Sequence, residues 1–179
     1  NLTSPSISSE GQYIAFLAIP INSSSSKYAV FLHDTISQNT QRISHEQFED
    51  GTTPNHAQSP QISDNGKHIY YVIGNDIYKF SVDNGQTIKI TTPVDNQPTN
   101  SNSFSPSISA DGRFALYTSY ASNLIENDRN GKYDIFLYDS DSKETIMVNI
   151  GIAGHQAKGN SYHCSISADG STLAYASIA

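Results

Sequence analysis

The chain has 179 residues, a formal net charge of −7 and a single cysteine. The negative charge argues against nucleic acid as a partner, because phosphate binding needs a basic surface, and the lone cysteine excludes an internal disulfide. No apolar run approaches the ~20 residues of a membrane-spanning helix, so direct membrane insertion is not expected.

Four stretches with the same order of residue types divide the chain into repeats. Each begins with a short strand and a tight turn that ends in glycine: PSISSEG from Pro5, PQISDNG from Pro60, PSISADG from Pro106 and CSISADG from Cys164. A second strand follows each turn. Third strands align at residues 29–34, 76–81 and 134–139, and fourth strands at residues 41–44, 88–91 and 146–149. A repeat of about 40–50 residues with four strands is typical of a propeller blade.

The repeats predict an all-β chain that forms one propeller fragment over residues 1–179. It contains three four-stranded antiparallel blades, at about residues 2–44, 58–91 and 104–149, and the first half of a fourth at residues 162–179. No segment shows sustained apolar periodicity of 3.6 residues, so very little helix is expected.

The repeat start Ser-Pro-x-Ile-Ser-x-Asp-Gly and the third strand Asp-Ile-Phe-Leu-Tyr-Asp resemble the TolB-like β-propeller repeat. The resemblance covers nearly the whole chain. It implies a propeller fold and favours a periplasmic or secreted bacterial protein. A composition rich in Ser, Asn, Thr and Tyr and poor in Lys points the same way.

The loop at residues 127–134 is the best candidate for a metal site. Asp128, Asn130 and Asp134 offer oxygen atoms at short spacing, and Gly131 allows a sharp turn. Calcium prefers several oxygen ligands from one flexible loop, so these three residues are predicted ligands, with Glu126 and Asn123 as further contributors. In the alternative interpretation the loop is a polar turn without a metal.

Two histidines, His155 and His163, flank the link into the fourth repeat and are candidate ligand-binding residues. His163 aligns with Ser4, Ser59 and Ser105, a position expected to precede the innermost strand and to face the mouth of the central channel. By resemblance, some TolB-like propellers that cleave acidic sugars carry metal-binding histidines there. The alternative is an ordinary surface histidine, and no recurring histidine–carboxylate pair indicates a metal catalyst.

Nucleophilic catalysis has no specific signal in this sequence. There is no G-x-S-x-G elbow, and Cys164 is interpreted as a small buried hydrophobe. A group of tyrosines suits either an aromatic platform for sugars or packing between blades: Tyr28, Tyr78, Tyr133, Tyr138 and Tyr162.

The leading functional hypothesis is therefore non-catalytic binding or scaffolding, with protein or glycan contacts made by blade loops and the channel mouth. The alternative is the propeller part of an enzyme, either a peptidase of the prolyl-oligopeptidase type or a polysaccharide-cleaving protein. Structural packing inside a larger surface protein is a third possibility. The fourth repeat stops after two strands, so we expect a piece of a longer protein that self-associates through an open edge or an exposed blade face.

Overall fold

The structure is a computed structural model that describes residues 2–21, 26–44, 55–151 and 153–178. These ranges contain 14 β-strands and no helix, so none of the described segments is a helix able to cross a membrane. The strands are β1 (Leu2–Ile7), β2 (Tyr13–Ala18), β3 (Ala29–Asp34), β4 (Asn39–Arg42), β5 (Ala57–Ile62), β6 (His68–Ile73), β7 (Asp76–Ser81), β8 (Thr87–Lys89), β9 (Ser103–Ile108), β10 (Phe114–Ser119), β11 (Asp134–Asp139), β12 (Glu144–Met147), β13 (Ser161–Ile166) and β14 (Leu173–Ser177).

The strands form four antiparallel sheets in chain order, which confirms the predicted fold class. Three sheets have four strands each, β1 to β4, β5 to β8 and β9 to β12, and the last contains β13 and β14. We call these sheets blades 1 to 4. The predicted repeat register is also confirmed, because Ile7, Ile62, Ile108 and Ile166 each end the first strand of their blade.

The fourth strands begin one or two residues earlier than the sequence predicted. Each ladder ends where a polar side chain reaches back to the second amide of the third strand. Val30 N donates to Ser44 Oγ, Ile77 N to Thr91 Oγ1 and Ile135 N to Asn149 Oδ1, at 3.1, 3.2 and 2.9 Å. The residues predicted to end these strands therefore act through their side chains.

A β-bulge interrupts the first strand of every blade. The residue at the bulge has a left-handed backbone, with φ of 51° at Ser4, 49° at Ser59, 54° at Ser105 and 53° at His163. The pairing with the second strand shifts register there. His163 thus lies inside β13, and its predicted place before the strand is wrong, because pairing continues on both sides of the bulge.

The first hairpin turns of successive blades are joined by backbone hydrogen bonds. Ser9 N donates to Asp64 O at 3.0 Å, Asn65 N to Ala110 O at 3.4 Å, and Ala110 N to Ala168 O at 2.8 Å. Each blade donates to the one that follows it in the chain. We call this series the turn belt.

The core lies between blades, as slabs of interdigitated side chains. One slab joins blades 1 and 2 and a second joins blades 2 and 3. A stacked pair of rings from the second and third strands recurs in each full blade: Phe16–Phe31, Tyr71–Tyr78 and Tyr117–Phe136, with centroids 5.8, 6.0 and 5.8 Å apart. The pairs of blades 2 and 3 are buried against the preceding blade, whereas Phe16 and Phe31 are only half-buried.

Candidate functional site

The loop at residues 127–134 is fixed against the link that leads into blade 4. Arg129 N donates to Gln156 Oε1 at 3.0 Å, and Gln156 Nε2 donates to Asn127 O at 2.9 Å. Asn130 Nδ2 donates to Ala157 O at 3.2 Å. Since both segments are irregular, these hydrogen bonds take the place of a strand ladder and hold the loop in one conformation.

Asp134 is the first residue of β11 and is completely buried. Its Oδ1 accepts hydrogen bonds from Asn149 Nδ2 at 2.6 Å and Asn130 Nδ2 at 2.9 Å. Its Oδ2 is also buried and has no hydrogen-bond partner. Burial raises the pKa of this carboxyl group, and the two amide donors partly offset that rise.

Asp128 is a second carboxylate in the same loop, and it is half-buried. Its Oδ1 is buried without a hydrogen-bond partner. Burial raises the pKa of Asp128 to about 6, and the negative charge of Asp134 adds to the rise. None of the ion pairs found among the described residues includes either carboxylate. Arg129 and Lys132 lie in the same loop, but among the described residues neither forms an ion pair with these two carboxylates.

The other residues predicted as ligands have different positions. The Asn130 amide donates to Asp134, while its Oδ1 accepts from Lys132 N at 2.9 Å, so Asn130 orients the carboxylate. Asn123 Nδ2 donates to Pro98 O at 3.0 Å. Pro98 lies in the link that precedes blade 3. Glu126 is exposed.

Beside this loop, aromatic rings from four chain segments form one continuous group, which we call the aromatic surface: Phe104, Tyr120, Tyr133, Tyr162 and His163. Tyr133 is at its centre, with ring centroids 4.9 Å from Tyr120, 5.6 Å from Phe104 and 5.7 Å from Tyr162. His163 packs on Tyr162 at 6.2 Å. Tyr120 is 44% exposed, and the group spans the seam between blades 3 and 4.

Three solved structures show what this arrangement is similar to. TolB from Acinetobacter baumannii superposes with a TM-score of 0.60 at 19% identity, over 98% of this chain and 37% of its own. Dipeptidyl peptidase 4 from Porphyromonas gingivalis superposes with a TM-score of 0.63 at 17% identity. The match covers 99% of this chain and 29% of the peptidase chain. Oligogalacturonate lyase from Vibrio parahaemolyticus superposes with a TM-score of 0.64 at 12% identity. The match covers 96% of this chain and 44% of the lyase chain.

The chain has a TolB-like β-propeller fold. It spans less than half the length of each of these three proteins. No family model matches the sequence, and no curated protein matches it either. Because the three neighbours include TolB and two enzymes, the shared fold does not decide between binding and catalysis.

The two histidines that the sequence predicted as ligand-binding residues of this TolB-like propeller have different surroundings. His163 is exposed on the aromatic surface, whereas His155 is an exposed residue of the link, where its carbonyl accepts from Gly151 N at 2.8 Å. The described residues hold no group of three or more His, Cys, Asp or Glu side chains placed to bind a metal.

The remaining candidates have structural roles. Cys164 is partly buried, with Sγ 4.0 Å from Thr118 Oγ1, and burial raises the pKa of its thiol, so it is a poor nucleophile. Tyr78 and Tyr138 are buried in the slabs between blades. Tyr133 and Tyr162 belong to the aromatic surface instead.

Sequence reasoning missed Phe104 and Tyr120. Phe104 and Tyr162 occupy the same repeat position, one residue before the bulge, and this coincidence was readable in the alignment of repeats. Tyr120 follows the end of β10 and had no such signal.

Proposed function

We propose that the chain is a non-catalytic binding part of a propeller, and that it contacts a protein partner through the aromatic surface. One observation carries the proposal: five rings lie within 4.9–6.2 Å of their neighbours at a seam between blades, without being sealed into the core. Large contiguous groups of partly exposed aromatic side chains mark interaction sites. Tyrosine in particular is enriched where proteins bind proteins.

The backbone under the rings is held in place before any partner binds. Tyr133 N donates to Asn160 Oδ1 at 3.1 Å, and Tyr133 O accepts from Ser161 N at 2.8 Å. Tyr120 N donates to Asn102 O at 3.0 Å. A surface that is already ordered loses little conformational entropy on binding, and that favours affinity.

Peptides selected from a display library on the full chain test this proposal. We expect the selected peptides to lose about 30-fold or more in affinity for Tyr133→Ala and Tyr162→Ala, as for residues at the centre of an interface. Ile36→Ala is the matched control, because Ile36 is 76% exposed in the turn after β3, in blade 1. Peptides that bind all three variants equally would contradict the proposal.

Glycan-array binding by the same variants tests whether the partner is a carbohydrate. Sugars stack on exposed tyrosine rings, so glycan binding that disappears in Tyr162→Ala, without any peptide binding, would replace the protein partner by a carbohydrate.

A second contact is proposed at blade 1, where a second copy of the chain would cover Phe16 and Phe31. In blades 2 and 3 the equivalent ring pairs are buried by a neighbouring sheet, and this supports the proposal that a sheet of a second copy would cover the pair of blade 1. Among the described residues β14 is the outer strand of blade 4, and such an edge strand offers backbone groups to the same kind of assembly.

A periplasmic or secreted location is proposed from the repeat resemblance and the acidic, lysine-poor composition. Fractionation of cells that express the full-length gene tests it, and recovery in the cytoplasm would contradict it.

A further inference from the structure

We propose that Asp128 and Asp134 bind a calcium ion, which supplies the positive charge that a lysine supplies in the neighbouring blade. Two aspartates occupy equivalent positions in blades 2 and 3. Asp76 opens β7 of blade 2 and Asp134 opens β11 of blade 3, each at the start of a third strand.

In blade 2 the carboxylate is fully satisfied. Asp76 Oδ1 accepts hydrogen bonds from the hydroxyl groups of Thr91 at 2.7 Å and Thr99 at 2.5 Å. Asp76 Oδ2 lies 3.6 Å from Lys89 Nζ. The negative charge therefore faces a cation that belongs to the same blade.

In blade 3 the same position lacks its cation. In blade 2, Lys89 pairs with Tyr78 across the β7–β8 ladder. In blade 3, Phe136 is equivalent to Tyr78 and pairs with Met147, so Met147 stands at the position of Lys89. Asn149 and Asn130 replace the two threonines as donors to Oδ1. Among the described residues, Oδ2 of Asp134 has neither a hydrogen-bond partner nor an ion pair, and it is buried.

Asp128 adds a second carboxylate in the same loop. Its Oδ1 is buried and lacks a partner, as Oδ2 of Asp134 does, and the two carboxylates repel each other electrostatically. A buried charge without a counter-charge destabilises the folded state. A divalent cation bound by both carboxylates would remove that destabilisation.

The donors favour calcium over other metals. The loop offers oxygen atoms, which hard cations prefer, and transition metals bind better to histidine or cysteine. Calcium accepts 6–8 oxygen ligands in flexible geometry and draws on carboxylates, backbone carbonyls and water, whereas magnesium demands a near-ideal octahedron. Left-handed residues at Asn127 and Gly131, with φ of 63° and 61°, bend the loop backbone on either side of Asp128.

Calorimetric titration of the chelator-treated full chain with calcium chloride tests the site. We expect one site per wild-type chain. Asp128→Asn should bind at least ~10-fold more weakly, because each carboxylate supplies charge as well as an oxygen ligand. Asp76→Asn, the equivalent change in blade 2, should bind as the wild type does.

Met147→Lys is the decisive variant, since it places in blade 3 the cation that blade 2 carries. We expect it to lose calcium binding and to melt at the same temperature with or without calcium. The wild type should melt higher with calcium, because a ligand that binds only the folded state stabilises it. Magnesium chloride should give a smaller rise at equal concentration.

Absence of calcium heat and of a melting shift in the wild type would overturn the proposal. So would equal binding by the wild type, Asp128→Asn and Met147→Lys. Both variants keep Asp134, and far-UV circular dichroism checks that each of them folds, since Met147 is buried in a slab between blades. The site does not depend on the proposed protein partner, because calcium binding is measured without peptides.

Discussion

Gly112 of blade 3 lies directly against the side chain of His68 in blade 2. A Cβ atom at Gly112 would come within 2.8 Å of both His68 Cβ and His68 Cδ2. The same approach recurs between Gly66 and Tyr13 and between Gly170 and Phe114, at 2.6 and 2.5 Å. These turn glycines therefore meet two demands at once, a left-handed backbone and contact with the preceding blade.

Gly112→Ala should destabilise the chain more than Gly85→Ala. Both glycines have positive φ, 70° and 67°, but a Cβ at Gly85 would meet no atom within 4 Å. The left-handed conformation costs each variant about 1–2 kcal/mol, and overpacking adds about 1–3 kcal/mol at Gly112 alone. Urea denaturation of both variants measures the difference. Equal losses would show that blade 2 yields to the added methyl group.

His68 should make the chain less stable in weak acid. Its Nδ1 is buried without a hydrogen-bond partner. Burial, followed by the nearby Lys79 charge, lowers the pKa of the imidazole below its usual 6.5. The folded state thus favours neutral His68, while the unfolded chain takes up a proton near pH 6.5, so stability falls as the pH drops below that value.

His68→Phe removes this titration and keeps a ring where blade 3 has Phe114. The free energy of unfolding should fall less between pH 7.5 and pH 5.5 in His68→Phe than in the wild type, as followed by urea denaturation at each pH. The same fall in both proteins would assign the acid sensitivity to other groups.

Phe31→Thr should weaken self-association of the chain. Phe31 and Phe16 form the half-exposed ring pair of blade 1, and threonine keeps β-propensity while it removes the ring. Sedimentation velocity over a range of concentrations should show a wild type that associates and a variant that needs about 10-fold higher concentration. Ile36→Thr is the control for loss of an exposed hydrophobe elsewhere. A wild type that stays monomeric throughout would rule this contact out.

The isolated chain should not turn over peptide or polyuronate substrates. The prediction rests on the missing nucleophile elbow in the sequence and on the distinct surroundings of His155 and His163, one in the link and one on the aromatic surface. Activity assays with and without added divalent cations check it. Turnover that disappears in His163→Ala would establish an enzyme instead.

The fold was predictable because its signals are local. Turn glycines such as Gly66 and short runs of β-branched and aromatic residues such as His68–Ile73 mark each hairpin within a few residues. The bulge at His163 was not predictable in this way. The equivalent positions in the other blades hold serine, a residue that occurs in many kinds of local structure. The bulge is therefore recognised only from the strand pairing on both sides of it.

The candidate site was predictable only in part. Asp128 and Asp134 were found from their spacing within one loop, but the missing counter-charge depends on Met147, which lies on another strand. The aromatic surface joins Phe104 to Tyr133 across 29 residues of chain. Contacts of this kind follow from the three-dimensional packing of blades and strands, which spacing alone does not give.

The turn belt has a consequence for how such a chain can evolve. Its joints use main-chain groups, so a change of side chain at Ser9, Asp64, Ala110 or Ala168 leaves them in place. Blades 2 and 3 each carry both a donor and an acceptor. A tandem duplication of one whole repeat in the gene therefore inserts a unit that matches both neighbours, and the number of blades can change while the joints stay the same.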